Sequence, residues 1–211
     1  MSHARRWRMA ALAAALASAG LAQAQLSLPS LPGLPGLPGL PGGGGSTGGT
    51  QAAGITAVIG GVVTTLVSSG TVSDPSQPVG TGQALASIPG VLSAQSLHSA
   101  AMAWTDQAAS QASLSNLALT VAGTGITADF LGSEALAGAT RTGASAIEGL
   151  KVGGVAVTPT GVPNQLVSLP GLSVILNEQT QTAGGIVVNA LRVRTLDGLT
   201  DVALGTSRAG I

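Results

Sequence analysis

The chain has 211 residues and only eight basic and eight acidic side chains, so it is nearly uncharged for its length. Nucleic acids and anionic membranes are bound by basic surfaces, and this composition argues against both partners. The chain has no cysteine and only 1% aromatic residues. Any core must therefore be built from Val, Leu, Ile and Ala, without disulfides.

The first 24 residues have the three-part pattern of a secretory signal. Three arginines precede an apolar run over 9–21, and small residues follow at 22–24. The run is too short to span a bilayer, which takes about 20 residues. We expect export, cleavage between Ala24 and Gln25, and no transmembrane segment afterwards. Cleavage leaves 8 − 3 = 5 basic residues against eight acidic ones.

Residues 25–50 are predicted to form a linker. Leu-Pro-Gly triplets fill 31–42, and glycine dominates the stretch that follows. Proline fixes φ and lacks an amide donor, so the tract should be extended polyproline II. Gly at every third position also suggests collagen, but the triplets are too few for a triple helix. A semi-rigid spacer is the better interpretation.

The remaining domain, 51–211, is dominated by period-2 alternation. Large apolar residues recur at every second position over 117–121 and 172–176, and others share a parity over 187–193, which predicts strands with one solvated side. In the last segment, Val187, Leu191 and Val193 share one face. Arg192 and Arg194 fall on the opposite, solvated face.

Two dipeptides predict hairpin turns. Asp197-Gly198 tolerates the positive φ values of a type I′ turn, and Gly153-Gly154 separates two short apolar segments.

The stretch 91–108 is ambiguous. Leu97, Ala101, Trp104 and Ala108 have helical spacing, but a strand over 91–100 followed by a short helix or loop fits equally well.

The chain also resembles itself weakly. Segments 92–97 and 126–131 are similar, as are 114–119 and 147–152, at offsets of 34 and 33 residues, and 186–191 echoes the first pair. Duplication of a paired-strand unit and chance similarity among β sequences both explain this.

The predicted fold class is all-β: a β-sandwich-like domain of antiparallel hairpins with weak internal duplication. A short β-solenoid is the alternative.

Catalytic constellations are hard to assemble from this sequence. After cleavage the one histidine is His98, and serines at 93, 96 and 99 alternate across the faces of a strand, so they do not converge on it as a triad requires. A glycosidase pair would need aromatic partners, and only Trp104 and Phe130 remain. Its carboxylates would come from Asp129, Glu134, Glu148, Glu178 or Asp201.

The other chemical candidates are also weak. Asp197 and Asp201 flank a turn, with Thr195 and Thr200 beside them, but they form an incomplete calcium ligand set. We therefore predict no enzyme activity, cofactor or metal. The densest polar stretch is 177–182, which is either a solvated turn or edge, or a binding loop. Asn177, Glu178 and Gln179 are the candidate binding residues.

Segments 172–179, 185–193 and 201–207 carry a family resemblance, most distinctively in Leu-Asn-Glu-Gln and Val-Asn-Ala-Leu. Over about 91–210 the chain resembles the choice-of-anchor P family of bacterial surface proteins. The resemblance implies an exported β-rich domain with no catalytic residues to transfer. The last five residues have neither a hydrophobic tail nor a sorting pattern, which departs from that family.

These observations lead to an expectation of location and role. We expect a secreted, periplasmic or loosely attached surface protein with a structural or adhesive role. Its partner would be a cell-envelope polysaccharide or another surface protein. The alternative function is a carbohydrate- or peptide-binding module.

Overall fold

The computed structural model describes residues 49–72, 74 and 77–211. The predicted leader, its cleavage site at Ala24 and Gln25, and nearly all of the predicted linker lie outside the described residues. The described part contains thirteen strands and no helix. They are β1 Gln51–Ile59, β2 Val62–Thr71, β3 Val79–Ile88, β4 Leu92–Ala103, β5 Ala108–Val121, β6 Thr124–Ala137, β7 Arg141–Glu148, β8 Lys151–Val152, β9 Val155–Ala156, β10 Gln165–Leu169, β11 Leu172–Thr182, β12 Gly185–Thr195 and β13 Thr200–Gly210.

The strands form two sheets that pack face to face. Sheet A has the order β10-β11-β12-β13-β1-β2, and sheet B has the order β3-β4-β5-β6-β8-β9, with β7 also paired to β6. The prediction of an all-β sandwich of antiparallel hairpins is confirmed. The solenoid alternative is wrong, because the strand pairs in both sheets are antiparallel, whereas the coils of a β-helix stack in parallel.

The ambiguous stretch 91–108 is a strand followed by a tight turn. Strand β4 continues to Ala103, and the amide of Trp104 donates to the carbonyl of Gln107 at 2.7 Å before β5 begins. The helical interpretation is wrong. The strand prevails because β3 and β5 pair with β4 on both sides and satisfy its backbone groups.

Both predicted hairpins are present. Gly153 and Gly154 have φ of 58° and 80° and join β8 to β9. At the β12–β13 turn, Gly198 has a φ of 72°, but Asp197 is not in the positive-φ region. A type I′ turn needs positive φ at both central residues. The second hairpin therefore uses a longer loop, residues 196–199.

A row of unusual backbone conformations crosses sheet A at one level. Asn177, Gly205 and Val67 have φ of 51°, 58° and 59°, and the register places Ala190 and Gly54 between them on β12 and β1. Asn and Gly tolerate this left-handed region, whereas a β-branched residue there is an outlier. Val67 is therefore strained, and it is held in place by packing against the core.

Sheet B carries a matching row. Ser96, Asn116 and Gly149 have φ of 49°, 49° and 63°. They lie on β4, on β5 and between β7 and β8, and Asp129 of β6 lies between the last two by register. We call the two rows together the crease. It divides the sandwich into two halves.

The crease reverses which side chains point into the sandwich. On β12 the inward residues are Leu191 and Val193 on one side of it, and Val188 and Ile186 on the other. The strict alternation predicted for this strand is therefore wrong beyond Ala190. Val187, predicted to share a face with Leu191, instead lies on the outer face of sheet A.

The two halves have different cores. One is filled by Leu, Ile and Val from both sheets. The other is thin and contains mostly alanine, together with a 2.6 Å hydrogen bond between the hydroxyls of Ser133 and Ser207. A Cβ on Gly205 would lie 3.9 Å from the carbonyl oxygen of Ala112 on sheet B. Small residues thus let the sheets approach closely, as the scarcity of aromatic side chains predicts.

The crease also bears on the internal similarity. Asn116 and Gly149 are 33 residues apart, both have positive φ, and both lie on it. Segments 92–97 and 126–131 each place buried residues at their first, third and sixth positions. The backbone irregularity is not shared at the other matched pair, since Ser96 has positive φ and Phe130 does not.

A substitution at Asn116 tests the crease separately from packing. Its side chain is exposed, and its amide donates to the Gln95 side chain at 2.9 Å. We expect Asn116→Val to lower the free energy of unfolding by about 1–3 kcal/mol, because a β-branched residue is strained at positive φ. Asn116→Gly should cost clearly less. Equal losses in urea unfolding would contradict a conformational requirement here.

Candidate functional site

The predicted binding segment 177–182 is not a loop. It forms the second half of β11 and pairs with β12, with Glu178 opposite Asn189 and Thr180 opposite Val187. The loop interpretation is wrong because backbone pairing on β12 continues through this polar stretch. Polarity alone did not distinguish a strand with a buried polar face from a solvated turn.

Asn177 and Gln179 make internal contacts. The Asn177 side chain donates to the carbonyl of Gly161 at 3.1 Å and accepts from Gln179 Nε2 at 2.9 Å. Gln179 Nε2 also donates to the carbonyl of Gly143 at 3.0 Å, which joins β11 of sheet A to β7 of sheet B. The backbone amide of Gln179 donates to Asn164 Oδ1 at 2.8 Å. In this structure both side chains hold strands and loops together.

Glu178 belongs to a buried charged network on the outer face of sheet A. Arg192 Nε and Nη2 donate to the two carboxylate oxygens of Asp201 at 2.8 and 2.6 Å, and Nη1 reaches Glu178 at 3.1 Å. Arg194 Nη2 donates to the other oxygen of Glu178 at 3.2 Å. Asn189 completes the site by donating to Glu178 at 2.6 Å. The prediction that Arg192 is solvated is wrong: it is 2% exposed.

The two acids account for the charge state of Arg192. Burial, the largest single effect, would lower the pKa of its guanidinium, but the hydrogen bond and charge of Asp201 and the charge of Glu178 together raise it. A guanidinium bound side-on to a carboxylate is a strong, geometrically specific pair. Arg192 therefore stays charged, and the network is an internal structural element.

Asp197 and Asp201 have different surroundings. Asp201 is bound to Arg192, whereas Asp197 is exposed and accepts from the amide of Leu199 at 2.9 Å. Hydrogen bonds from the Thr195 side chain and then this amide lower the pKa of Asp197. Across the described ranges, no three His, Asp or Glu residues cluster as metal ligands would.

His98 and its neighbouring serines are placed as the strand pattern predicts. Ser99 is buried and donates to the carbonyl of Val67 at 3.0 Å, while the adjacent His98 is half-buried on the other face of β4. Of the five candidate carboxylates, Glu178 and Asp201 are held in the network. The others lie on or beside β6 and β7 of sheet B.

A trough on the outer face of sheet B is the feature that sequence reasoning missed. It has a volume of about 290 Å³ and crosses β5, β6 and β7. Three cross-strand rows form it. In the first row, Gln111 of β5 pairs with Glu134 of β6, which pairs with Ala144 of β7. Ser113 lies in the second row and Phe130 in the third. Only the isolated Phe130 in a nearly aromatic-free chain could have indicated it.

A glycine positions the aromatic ring of the trough. A Cβ on Gly132 would lie 3.0 Å from Phe130 Cε1 and 3.1 Å from Cζ. The ring edge therefore lies over the glycine, and the ring lines the trough. Ala144 and Ala146 leave the floor open. An aromatic face beside carboxylate and amide groups can bind a flat, hydroxyl-rich or amide-containing ligand.

The fold and these contacts define a two-sheet antiparallel β-sandwich in which the predicted binding residues serve structure and a separate trough is open. No family model matches the chain, and neither a curated protein nor a solved structure matches it. The described part of the chain contains no helix long and apolar enough to cross a membrane.

Proposed function

We propose that this chain is an exported, non-enzymatic β-sandwich with a structural or adhesive role, released or loosely attached at the bacterial surface. The observation that carries the proposal is the secretory pattern of residues 1–24 ahead of a cysteine-free sandwich. The resemblance to choice-of-anchor P proteins supports the same location.

The non-enzymatic part of the proposal is supported by how the polar groups are used. Glu178 and Asp201 are held by arginines, and Asn177 and Gln179 bind backbone carbonyls. These side chains strengthen the sandwich and link its two sheets. That use suits a protein that must stay folded outside the cell without disulfides.

The trough favours a second candidate function, a carbohydrate- or peptide-binding module. Its Phe130 ring offers an apolar face, and Gln111 and Glu134 offer hydrogen-bonding groups. Cell-envelope polysaccharide is the ligand class that suits such a shallow, open site best, because sugar rings stack on aromatic faces and bind amides and carboxylates through hydroxyls.

Substitution of Phe130 tests this second function. Oligosaccharides from the cell envelope, screened by thermal shift, should stabilise the parent protein, because a ligand at 100 times its Kd adds about 2.7 kcal/mol. Phe130→Ala should abolish the shift relative to its own ligand-free form, whereas Thr127→Ala, on the same strand outside the trough, should preserve it. Stabilisation that survives Phe130→Ala would rule out the trough as the site.

A further inference from the structure

Six hairpin turns lie at one end of the sandwich. In sheet A, the amide of Gly60 in one turn donates to the carbonyl of Leu199 in another at 2.9 Å. Ile59 of sheet A and Ile88 of sheet B each adjoin a turn and pack against the same core, so the turns of both sheets share this end. We call the six turns the tip: residues 60–61, 89–91, 122–123, 153–154, 170–171 and 196–199.

The tip carries large apolar side chains that are exposed. Leu196 and Leu199 are 72% and 61% exposed, and Val62 and Val155, which adjoin two other turns, are 66% and 69% exposed. The six turns contain one charged residue, Asp197. A concentration of exposed apolar side chains in one place marks a surface that contacts something other than water.

The opposite end of the sandwich is different. The chain enters and leaves the domain there, and the Thr50 side chain donates to the carbonyl of Gly210 at 3.0 Å. Asp106 lies in the β4–β5 loop at that end, and Arg141 begins β7 beside the next loop. The domain is therefore polarised, and its apolar tip points away from the residues that connect it to the rest of the chain.

Backbone hydrogen bonds tie the turns to their neighbours. The amide of Leu196 donates to the carbonyl of Gly171 at 3.0 Å in sheet A, and the amide of Thr120 donates to the carbonyl of Val91 at 2.8 Å in sheet B. Polar backbone groups without partners are costly in an apolar phase. These bonds lower the cost of moving the tip out of water.

A shallow pocket lies directly behind the turn at 89–91. It has a volume of about 340 Å³ and is lined in part by Ser87, Ser93 and Thr120, none of which is charged. Ser87 and Ser93 are paired across β3 and β4, one pair behind the residues that close the turn. At about 3.4 Å per residue, they lie roughly 5–10 Å from the end of the turn. Interfacial segments reach a similar depth at the boundary between lipid headgroups and acyl chains.

Charge and area distinguish a lipid surface from other occupants. No basic residue lies in the six turns, so attraction to anionic lipids is not what the tip provides. An end of two sheets about 10 Å apart, each with six strands about 4.8 Å apart, offers roughly 500 Å². Each partner in a stable protein complex buries about 800 Å². Separate projecting turns over so small an area suit a fluid surface better than a second copy of the chain.

We propose that the tip inserts into a zwitterionic lipid surface. Leu196, Leu199, Val62 and Val155 enter the acyl region, and the hydroxyl-lined pocket behind them lies at the level of the headgroups. This contact goes beyond the proposed structural or adhesive role, since it uses neither the trough nor the charged network. It is also independent of the export proposal, because it is a property of the folded domain.

Fluorescence from single cysteines tests the proposal in the full chain, which has no native cysteine. A polarity-sensitive fluorophore on Val155→Cys reports on the tip, and the same fluorophore on Ile211→Cys is the control, because Ile211 is 58% exposed at the opposite end. Phosphatidylcholine vesicles should shift the Val155→Cys emission to the blue and leave the Ile211→Cys emission unchanged. The two positions distinguish insertion of the tip from any binding by residues 1–24.

A paired substitution identifies the side chains responsible. Leu196→Ser with Leu199→Ser should raise the lipid concentration for the half-maximal Val155→Cys shift at least about tenfold, because two apolar side chains no longer gain burial. Leu196→Met with Leu199→Met should preserve the shift.

Four results would overturn the proposal. They are no shift at Val155→Cys, an equal shift at Ile211→Cys, a shift that requires added phosphatidylglycerol, and a shift without vesicles that grows with protein concentration. The last result would assign the tip to contact with a second copy.

Discussion

Arg192→Met should lower the free energy of unfolding by about 3–5 kcal/mol, the largest loss that we expect from one substitution. Arg192 is the buried partner of both Asp201 and Glu178, at 2.6 and 3.1 Å. Methionine matches much of its volume but leaves two buried carboxylates without their main counter-charge. Urea unfolding at unchanged m value measures the effect.

Arg194→Met is the matched control. Arg194 contacts the same two carboxylates, but its side chain is 36% exposed. Exposed ion pairs contribute about 0–1 kcal/mol, so a small loss is expected. A variant combining Arg192→Met with Glu178→Gln and Asp201→Asn should be more stable than Arg192→Met alone. Equal losses for the two arginines would show that the network does not depend on burial.

Leu131→Ala should cost about 2–5 kcal/mol, because it leaves a cavity in the centre of the sandwich. Leu131 is fully buried, and it pairs with the equally buried Leu114 across β5 and β6. For a domain of this size, each kcal/mol corresponds to about 2–4 °C in Tm. The absence of disulfides leaves no covalent constraint to offset the loss.

Leu166→Ala provides the comparison for Leu131→Ala. Leu166 has the same chemistry but lies on the edge strand β10 and is 58% exposed. Its replacement should change stability by no more than about 0.5 kcal/mol. Calorimetry on both variants checks the pair. A similar change in Tm for the two would contradict the position of the core.

Local patterns predicted the fold class because each strand has an apolar side that must be buried. Leu172, Val174 and Leu176 recur at every second position and all lie in the core, and Gly153-Gly154 forms the expected turn. These features depend on neighbouring residues alone. The packing of two sheets then follows from strand number and the lack of helix-forming segments.

Features that depend on contacts distant in sequence were not predictable. The crease changes the inward face at Ala190, a residue with no unusual signature, because it is aligned with Asn177 and Gly205 on neighbouring strands. Arg192 was predicted to be solvated because its two acidic partners lie 14 and 9 residues away. The trough likewise exists only once β5, β6 and β7 are in register.

The most direct test of the proposed export is fractionation of the producing bacterium into cytoplasm, periplasm, envelope and medium, with the N-terminus determined by mass spectrometry. We predict a chain beginning at Gln25 outside the cytoplasm. Recovery from the medium or after a salt wash of the envelope would fit release or loose attachment. An uncleaved chain beginning at Met1 and confined to the cytoplasm would contradict the account.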